Sequence, residues 1–147
     1  MTVLIDNRKA HFNYEIVDKY EAGIELHGFE VKSIKGGRAI LAGAFAIVRD
    51  GEAYLMNMQI PPYQMGNTPI GYDPTRTRKL LLSKKQIREI APSDNMKGLT
   101  LVPLSLYSKG RLIKVELAVV KGKKNYDKRE TIKKRETDRE IDREYKR

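Results

Sequence analysis

A mainly β chain, folded as a small closed antiparallel barrel with short helices, is predicted by three features of the sequence. Residues 111–120 alternate, with Ile113, Val115, Leu117 and Val119 on one face and Lys114 and Glu116 on the other. Residues 99–107 form a second β-rich run, separated from the first by the turn Ser108-Lys109-Gly110, so the two make a hairpin. Asp50-Gly51 marks another hairpin between residues 44–49 and 52–58, because both positions tolerate the positive φ of a tight turn. Strands joined by glycine turns point to a closed barrel rather than to parallel βαβ units.

In chain order, Asn7-Arg8-Lys9-Ala10-His11 is expected to precede the first strand, and residues 14–20 and 23–27 are strand-like. Residues 30–35 place Val31 and Ile34 three apart, as one helical face requires, and Gly36-Gly37 stops that helix. The hairpin at Asp50-Gly51 follows. Residues 59–74 lack periodicity and hold four of the six prolines, and a loop of this length is either mobile or functional. Residues 83–91 read as a second helix, with Ser83 as N-cap, Gln86 as capping-box partner and Leu82 stapled onto Ile87. Ile87 and Ile90 would face the body, and Pro92 is expected to end the helix. The hairpin of residues 99–120 completes the body.

Residues 1–120 suffice to bury one core, whereas residues 121–147 do not resemble a core at all. These last 27 residues carry twelve Lys or Arg against seven Asp or Glu, about half of the chain's net charge of +10. Tyr126, Ile132, Ile141 and Tyr145 are their only sizeable apolar groups. So little burial does not offset the roughly 1–2 kcal/mol per residue that ordering a backbone costs. The segment is expected to be disordered when free and to gain structure on a partner.

A basic arm on a basic body calls for a polyanion, with RNA ahead of DNA. The tail lacks the apolar face that would enter a membrane surface, so no membrane partner is expected. With no signal-like start and no apolar run near ~18 residues, a cytoplasmic protein is expected. Zero Cys excludes disulfide scaffolds, thiolate nucleophiles and Cys-based zinc sites. No carboxylate grouping suggests a metal, no Walker-type loop appears, and the two histidines, His11 and His27, have no evident triad partners. No catalytic residue, metal or cofactor is therefore assigned. A small ribonuclease using His11 and a nearby Lys stands as the enzymatic alternative.

The sharpest motif in the body is residues 73–82, Asp-Pro-Thr-Arg-Thr-Arg-Lys-Leu-Leu-Leu. If extended, it projects Arg76 and Arg78 to one side and Lys79 to the other. Two guanidinium forks at that spacing suit bidentate phosphate contacts, or they pair with nearby carboxylates. Asn7 offers a donor and an acceptor to a base edge, while Arg8 and Lys9 suit backbone phosphates, unless the run is only a solvated charged start. Glu21 is an acid in a basic protein. It either accepts from the exocyclic amine of cytosine or guanine, or is an exposed strand-end carboxylate. Aromatic residues at 12, 14, 20, 63, 72 and 107 either stack unpaired bases or fill the core.

Several strings occur together in order: Asn7-Arg8-Lys9-Ala10, Tyr20-Glu21-Ala22-Gly23, Gly28-Phe29-Glu30-Val31-Lys32-Ser33, residues 73–82, Lys121-Gly122-Lys123-Lys124 and Asp127-Lys128-Arg129-Glu130. In these the chain resembles the SsrA-binding protein (small protein B, SmpB) family, bacterial partners of transfer-messenger RNA, from about residue 5 to 135. The resemblance implies an oligonucleotide-binding (OB) barrel that is not an enzyme. It also implies binding to the tRNA-like domain of transfer-messenger RNA and delivery of that RNA to stalled ribosomes. Family RNA-contact positions match at Asn7, Arg8, Glu21 and Leu81, and Lys121, Lys123 and Lys124 join the RNA-binding cations. Asp127, Lys128 and Arg129 match a tail motif tied to ribosomal function, and Lys133 and Lys134 are grouped with them. The family often has Asn where this chain has Ser83, which favours a capping role there. A general RNA chaperone or ribosome-assembly factor is the alternative on the same barrel.

Overall fold

The structure, a computed structural model, describes residues 2–63, 66, 68–95 and 98–122, with backbone alone at 94 and 95. Seven strands form one antiparallel sheet: β1 (Thr2–Asp6), β2 (Tyr14–Ile24), β3 (Phe45–Arg49), β4 (Glu52–Met56), β5 (Arg78–Leu81), β6 (Leu99–Lys109) and β7 (Leu112–Gly122). The neighbour order is β1-β6-β3-β4-β5-β2-β7, and β7 pairs back onto β6. That return closes the small OB-type barrel, with β1 added on the edge of β6.

Closure follows from side-chain alternation. Ala22 on β2, Ala53 and Leu55 on β4, Leu80 on β5 and Val115 and Leu117 on β7 all turn inward and are buried. Each fully buried Leu or Ile contributes about 1.5–3 kcal/mol of transfer free energy. Helix α2 (Gly28–Lys35) adds Ile34 to this core, and α3 (Lys84–Asn95) adds Ile90. A second cluster lies outside the barrel wall, where α1 (Arg8–Asn13) lays Ala10 on Val102, Leu104, Ala118 and Val120. This cover explains why β7 stays apolar on both faces near its end.

The two hairpins form as the sequence requires. Asp50 and Gly51 take φ of 53° and 75°, the positive values of a two-residue turn. In the other hairpin Lys109 pairs with Leu112, so the turn is Gly110-Arg111 rather than Ser108–Gly110. Ser83 caps α3 as expected: its hydroxyl accepts from the Gln86 N–H at 3.1 Å, and the Gln86 side chain accepts from the Ser83 N–H at 3.1 Å.

Three further expectations are corrected. The Asn7–His11 run does not precede the first strand, because β1 comes before it and Arg8–Asn13 is helical. Residues 14–27 do not split at a glycine turn, since β2 runs unbroken through Gly23 to Ile24. Pro92 lies inside α3 rather than ending it; the helix as a whole packs against β3 and β6, which outweighs the local breaker. Strand β7 itself continues past 120, pairing Lys121 with Glu15 and Gly122 with Tyr14.

Candidate nucleic-acid interface

The motif of residues 73–82 is tied to a buried acid. Arg78 and Glu30 are both fully buried, and Arg78 Nε donates to Glu30 Oε2 at 2.8 Å. The same guanidinium also donates to the carbonyls of Met58, Pro74 and Arg76 and to the Tyr72 hydroxyl, which uses its whole fork. Arg76 reaches Glu30 through Nη2 at 2.5 Å and Nε at 3.2 Å. The phosphate-gripping role expected of Arg78 is therefore corrected: it has no free donor and no access to solvent. Arg76 takes the carboxylate-pairing option as well. Glu30 also accepts from the His27 N–H at 2.8 Å, closing the start of α2.

Burial alone would raise the Glu30 carboxyl, but the bonds from Arg76, the His27 backbone and Arg78 hold it down at about 2. Burial and the bond to Glu30 push the Tyr72 hydroxyl up to about 12. The single Tyr72 hydroxyl proton is shared between Glu30 Oε2 and the Ile60 carbonyl, each 2.9 Å away, and the ring meets Phe29 edge-on. The network thus fastens the proline-rich loop and the start of β5 onto α2. That anchorage positions Lys79 and Leu81.

Beyond the anchor, the outward side chains of β5 reach the surface. Lys79 Nζ pairs with Glu52 at 3.0 Å. Leu81 is 49% exposed, a large apolar group left in water. Register then lines up Tyr107, Lys114, Gly23 and Leu81 across β6, β7, β2 and β5. Gly23 matters for its missing side chain: a Cβ there would lie 3.1 Å from the Leu81 Cβ. The row therefore dips between Lys114 and Leu81.

Glu21 sits two residues before that dip, half exposed on β2. Tyr107 Oη donates to its Oε2 at 2.5 Å, and Lys109 Nζ donates to its Oε1 at 3.1 Å. The Tyr107 hydrogen bond, then that of Lys109, keeps the carboxyl below its ordinary value, so it is an ionised acceptor. A carboxylate has about four acceptor positions, so two donors leave room for an exocyclic amine. Sequence reasoning singled out Glu21 but missed Tyr107 and Lys109 as its neighbours, because they reach it from another strand and no local motif carries that link.

The cations of α1 occupy a different part of the barrel. Arg8 and Lys9 are exposed, while Asn7 is buried and serves the fold. Asn7 Nδ2 donates to the Pro103 carbonyl at 2.8 Å, and its Oδ1 accepts from the Ala10 N–H at 3.3 Å, capping α1. Asn7 thus has no free base-reading edge and instead sets the position of Arg8 and Lys9. Lys121 is exposed at the end of β7, next to the strand that follows α1. Lys123, Lys124, Asp127, Lys128, Arg129, Lys133 and Lys134 lie outside the described residues.

His11 Nε2 lies 3.8 Å from Asp6 Oδ1 on the surface, so the histidine has an acid neighbour that spacing did not suggest. His27 precedes α2 as its N-cap residue. Among the described residues no group of three His, Cys, Asp or Glu side chains is placed to hold a metal, and no helix is long and apolar enough to cross a membrane. Of the aromatic residues, Tyr107 is buried, Tyr14 and Tyr20 pack on the two clusters, and Tyr63 is exposed with Lys32 5.9 Å from its ring.

Comparison with known proteins covers both body and tail. The family model described as SmpB protein matches residues 4–147. The SsrA-binding protein of Synechocystis sp. is 52% identical over 145 residues, 99% of this chain and 94% of that protein. That of Geobacillus kaustophilus is 51% identical over 144 residues, 98% of this chain and 92% of that protein. A solved chain described as "tmRNA-SmpB: a journey to the center of the bacterial ribosome" is 43% identical, with a TM-score of 0.71 over 90% of this chain and 95% of that one.

Proposed function

This chain belongs to the SmpB family, and on that premise we propose that it binds the tRNA-like domain of transfer-messenger RNA and delivers it to stalled ribosomes for trans-translation. The barrel selects the RNA. The tail, residues 123–147, enters the ribosome's empty mRNA channel near the decoding centre and becomes helical there. The protein is not an enzyme and works in the cytoplasm. It needs no cofactor.

The observation that carries this division is the layout of β2. Near one end it holds Glu21 and Gly23 beside Leu81, and at the other Tyr14 pairs with Gly122, where the tail leaves the barrel. Seven residue steps along the strand take Tyr14 to Glu21, roughly 20 Å. One face can therefore stay closed on a folded RNA while the opposite end sends a charged segment elsewhere.

On the RNA side, Glu21 accepts from a base amine and Leu81 packs on a sugar or base. Arg8, Lys9 and Lys121, toward the other end of β2, meet phosphates further along the same RNA. Lys79 exchanges its exposed pair with Glu52 for a phosphate oxygen, a low-cost swap because surface ion pairs are weak. On the ribosome side, Asp127, Lys128 and Arg129, followed by Lys133 and Lys134, carry the function, with Lys123 and Lys124 at the junction. Spacings such as Glu130–Lys134 favour a helix by only about 0.2–0.5 kcal/mol each, too little without a polyanionic channel to order it. An intact downstream message would exclude the segment by volume and charge.

A competition binding assay between transfer-messenger RNA and ordinary tRNA tests the reading. Strong preference for the former supports it. Equal binding would replace it with a general RNA chaperone.

A further inference from the structure

The cations that make residues 73–82 look like a phosphate site are already committed to Glu30 and Glu52. Uncommitted charge lies one element further on, along α3. Lys84, Lys85 and Arg88 are all exposed, and no carboxylate among the described residues pairs with them. At 100° per residue these three span about 100° of the helix, one continuous cationic stripe. Ile90 is fully buried on the other side of α3.

Beside the stripe runs an open groove of about 470 Å³. Its walls include Gly51, Leu81, Leu82, Lys84 and Ile87, with Lys79 and Glu52 at one side. Leu81, the half-exposed apolar group of the candidate interface, is thus also a wall of this groove. An apolar wall with Lys84 at its edge fits a ribose-phosphate strand: sugar and base faces lie on Leu81 and Ile87, and the phosphates run on from Lys84 along Arg88 and Lys85 outside the groove. An acidic peptide would leave the apolar wall uncovered, and a lipid surface would need larger apolar groups on the rim.

We propose that the groove between β5 and α3 is a second strand of the RNA interface. Lys84, Lys85 and Arg88 bind consecutive phosphates of the tRNA-like domain there. This rests on the RNA-binding reading above and extends it from the Glu21 face around the barrel. Lys84 is the junction, touching both groove and stripe.

The test is a salt titration of binding to the isolated tRNA-like domain, using the full chain and the triple variant Lys84→Gln/Lys85→Gln/Arg88→Gln. Gln keeps nearly the helix propensity of Lys and Arg, so α3 is preserved, and circular dichroism with thermal melting checks this. The slope of log K against log salt should fall by about two to three, with affinity at moderate salt reduced about 10–100-fold. An unchanged slope with unchanged affinity would overturn the proposal. Failure of the wild-type chain to prefer the tRNA-like domain over ordinary tRNA would instead remove the reading on which it rests. A second variant, Ile87→Ser, leaves charge alone; it should weaken binding with no change in slope, and unaltered binding would remove the strand from the groove.

Discussion

Tyr107 Oη and Glu21 Oε2 lie 2.5 Å apart, joining the outer ends of β6 and β2 although 86 residues separate them in the chain. Their hydrogen bond fixes the direction of the acid proposed to select the RNA. Burial, followed by the bond to Glu21, raises the Tyr107 hydroxyl above its ordinary value, so at neutral pH it remains a donor. Glu21→Ala makes the protein more basic, yet it should weaken binding to the tRNA-like domain by about tenfold or more, the size of one charge-assisted hydrogen bond. Tyr107→Phe should give a smaller loss in the same direction. Filter-binding or gel-shift titrations read both. Tighter selective binding by Glu21→Ala would remove the acid from the interface.

Glu30 and its two arginines make a different kind of prediction. Glu30→Gln leaves the buried Arg78 without its counter-charge and cuts the tie between α2 and the proline-rich loop. A loss of about 3–5 kcal/mol is expected, the usual cost of breaking a buried pair from one side. Urea unfolding followed by far-ultraviolet circular dichroism measures it. A change under about 1 kcal/mol would mean that the network does not hold the fold.

The same carboxyl sets an acid limit. Its folded-state value of about 2 lies below the ordinary 4.5, so the network's contribution is complete above about pH 4.5. It is then lost as pH falls toward 2, because the unfolded chain takes up the proton first. Stability of the wild-type chain should decline across that window, and Glu30→Gln should show a shallower decline. Parallel pH profiles for the two proteins would contradict the assignment.

Asp50-Gly51, the Ser83–Gln86 cap and the alternation of β7 were legible in the sequence because each depends on residues within a few positions of one another. The roles of Arg76 and Arg78 were not, since their partner is 46 and 48 residues away and the sequence offered two outcomes of equal chemistry. Asn7 illustrates the same limit. Its polar edge looked suited to a base, but the tertiary structure spends it on the Pro103 carbonyl, 96 residues on. Strand β1 escaped notice because five residues at a chain start carry little pattern, and only pairing with β6 defines it. Pro92 was overread: a local breaker was outweighed by the packing of its helix.

Gly23 offers a test of surface shape that leaves charge untouched. Its backbone does not need glycine's conformational freedom, so a larger residue is limited by space alone. Gly23→Val would fill the dip and push Leu81 aside. RNA affinity should fall at least about fivefold, while the thermal midpoint moves by only a few degrees. Full RNA affinity with a valine there would show that nothing approaches the row between Lys114 and Leu81.

Removal of residues 123–147 tests the central division most directly. Every strand pairing among the described residues lies within 2–122, so the shortened chain is expected to keep its fold, which circular dichroism checks. Binding to the isolated tRNA-like domain and rescue of ribosomes stalled on truncated messages should be measured on the same preparation. RNA affinity within about tenfold of the full chain at matched salt is expected, together with complete loss of rescue. Loss of specific RNA binding, or rescue that survives the truncation, would contradict a barrel that selects RNA and a tail that senses the empty channel.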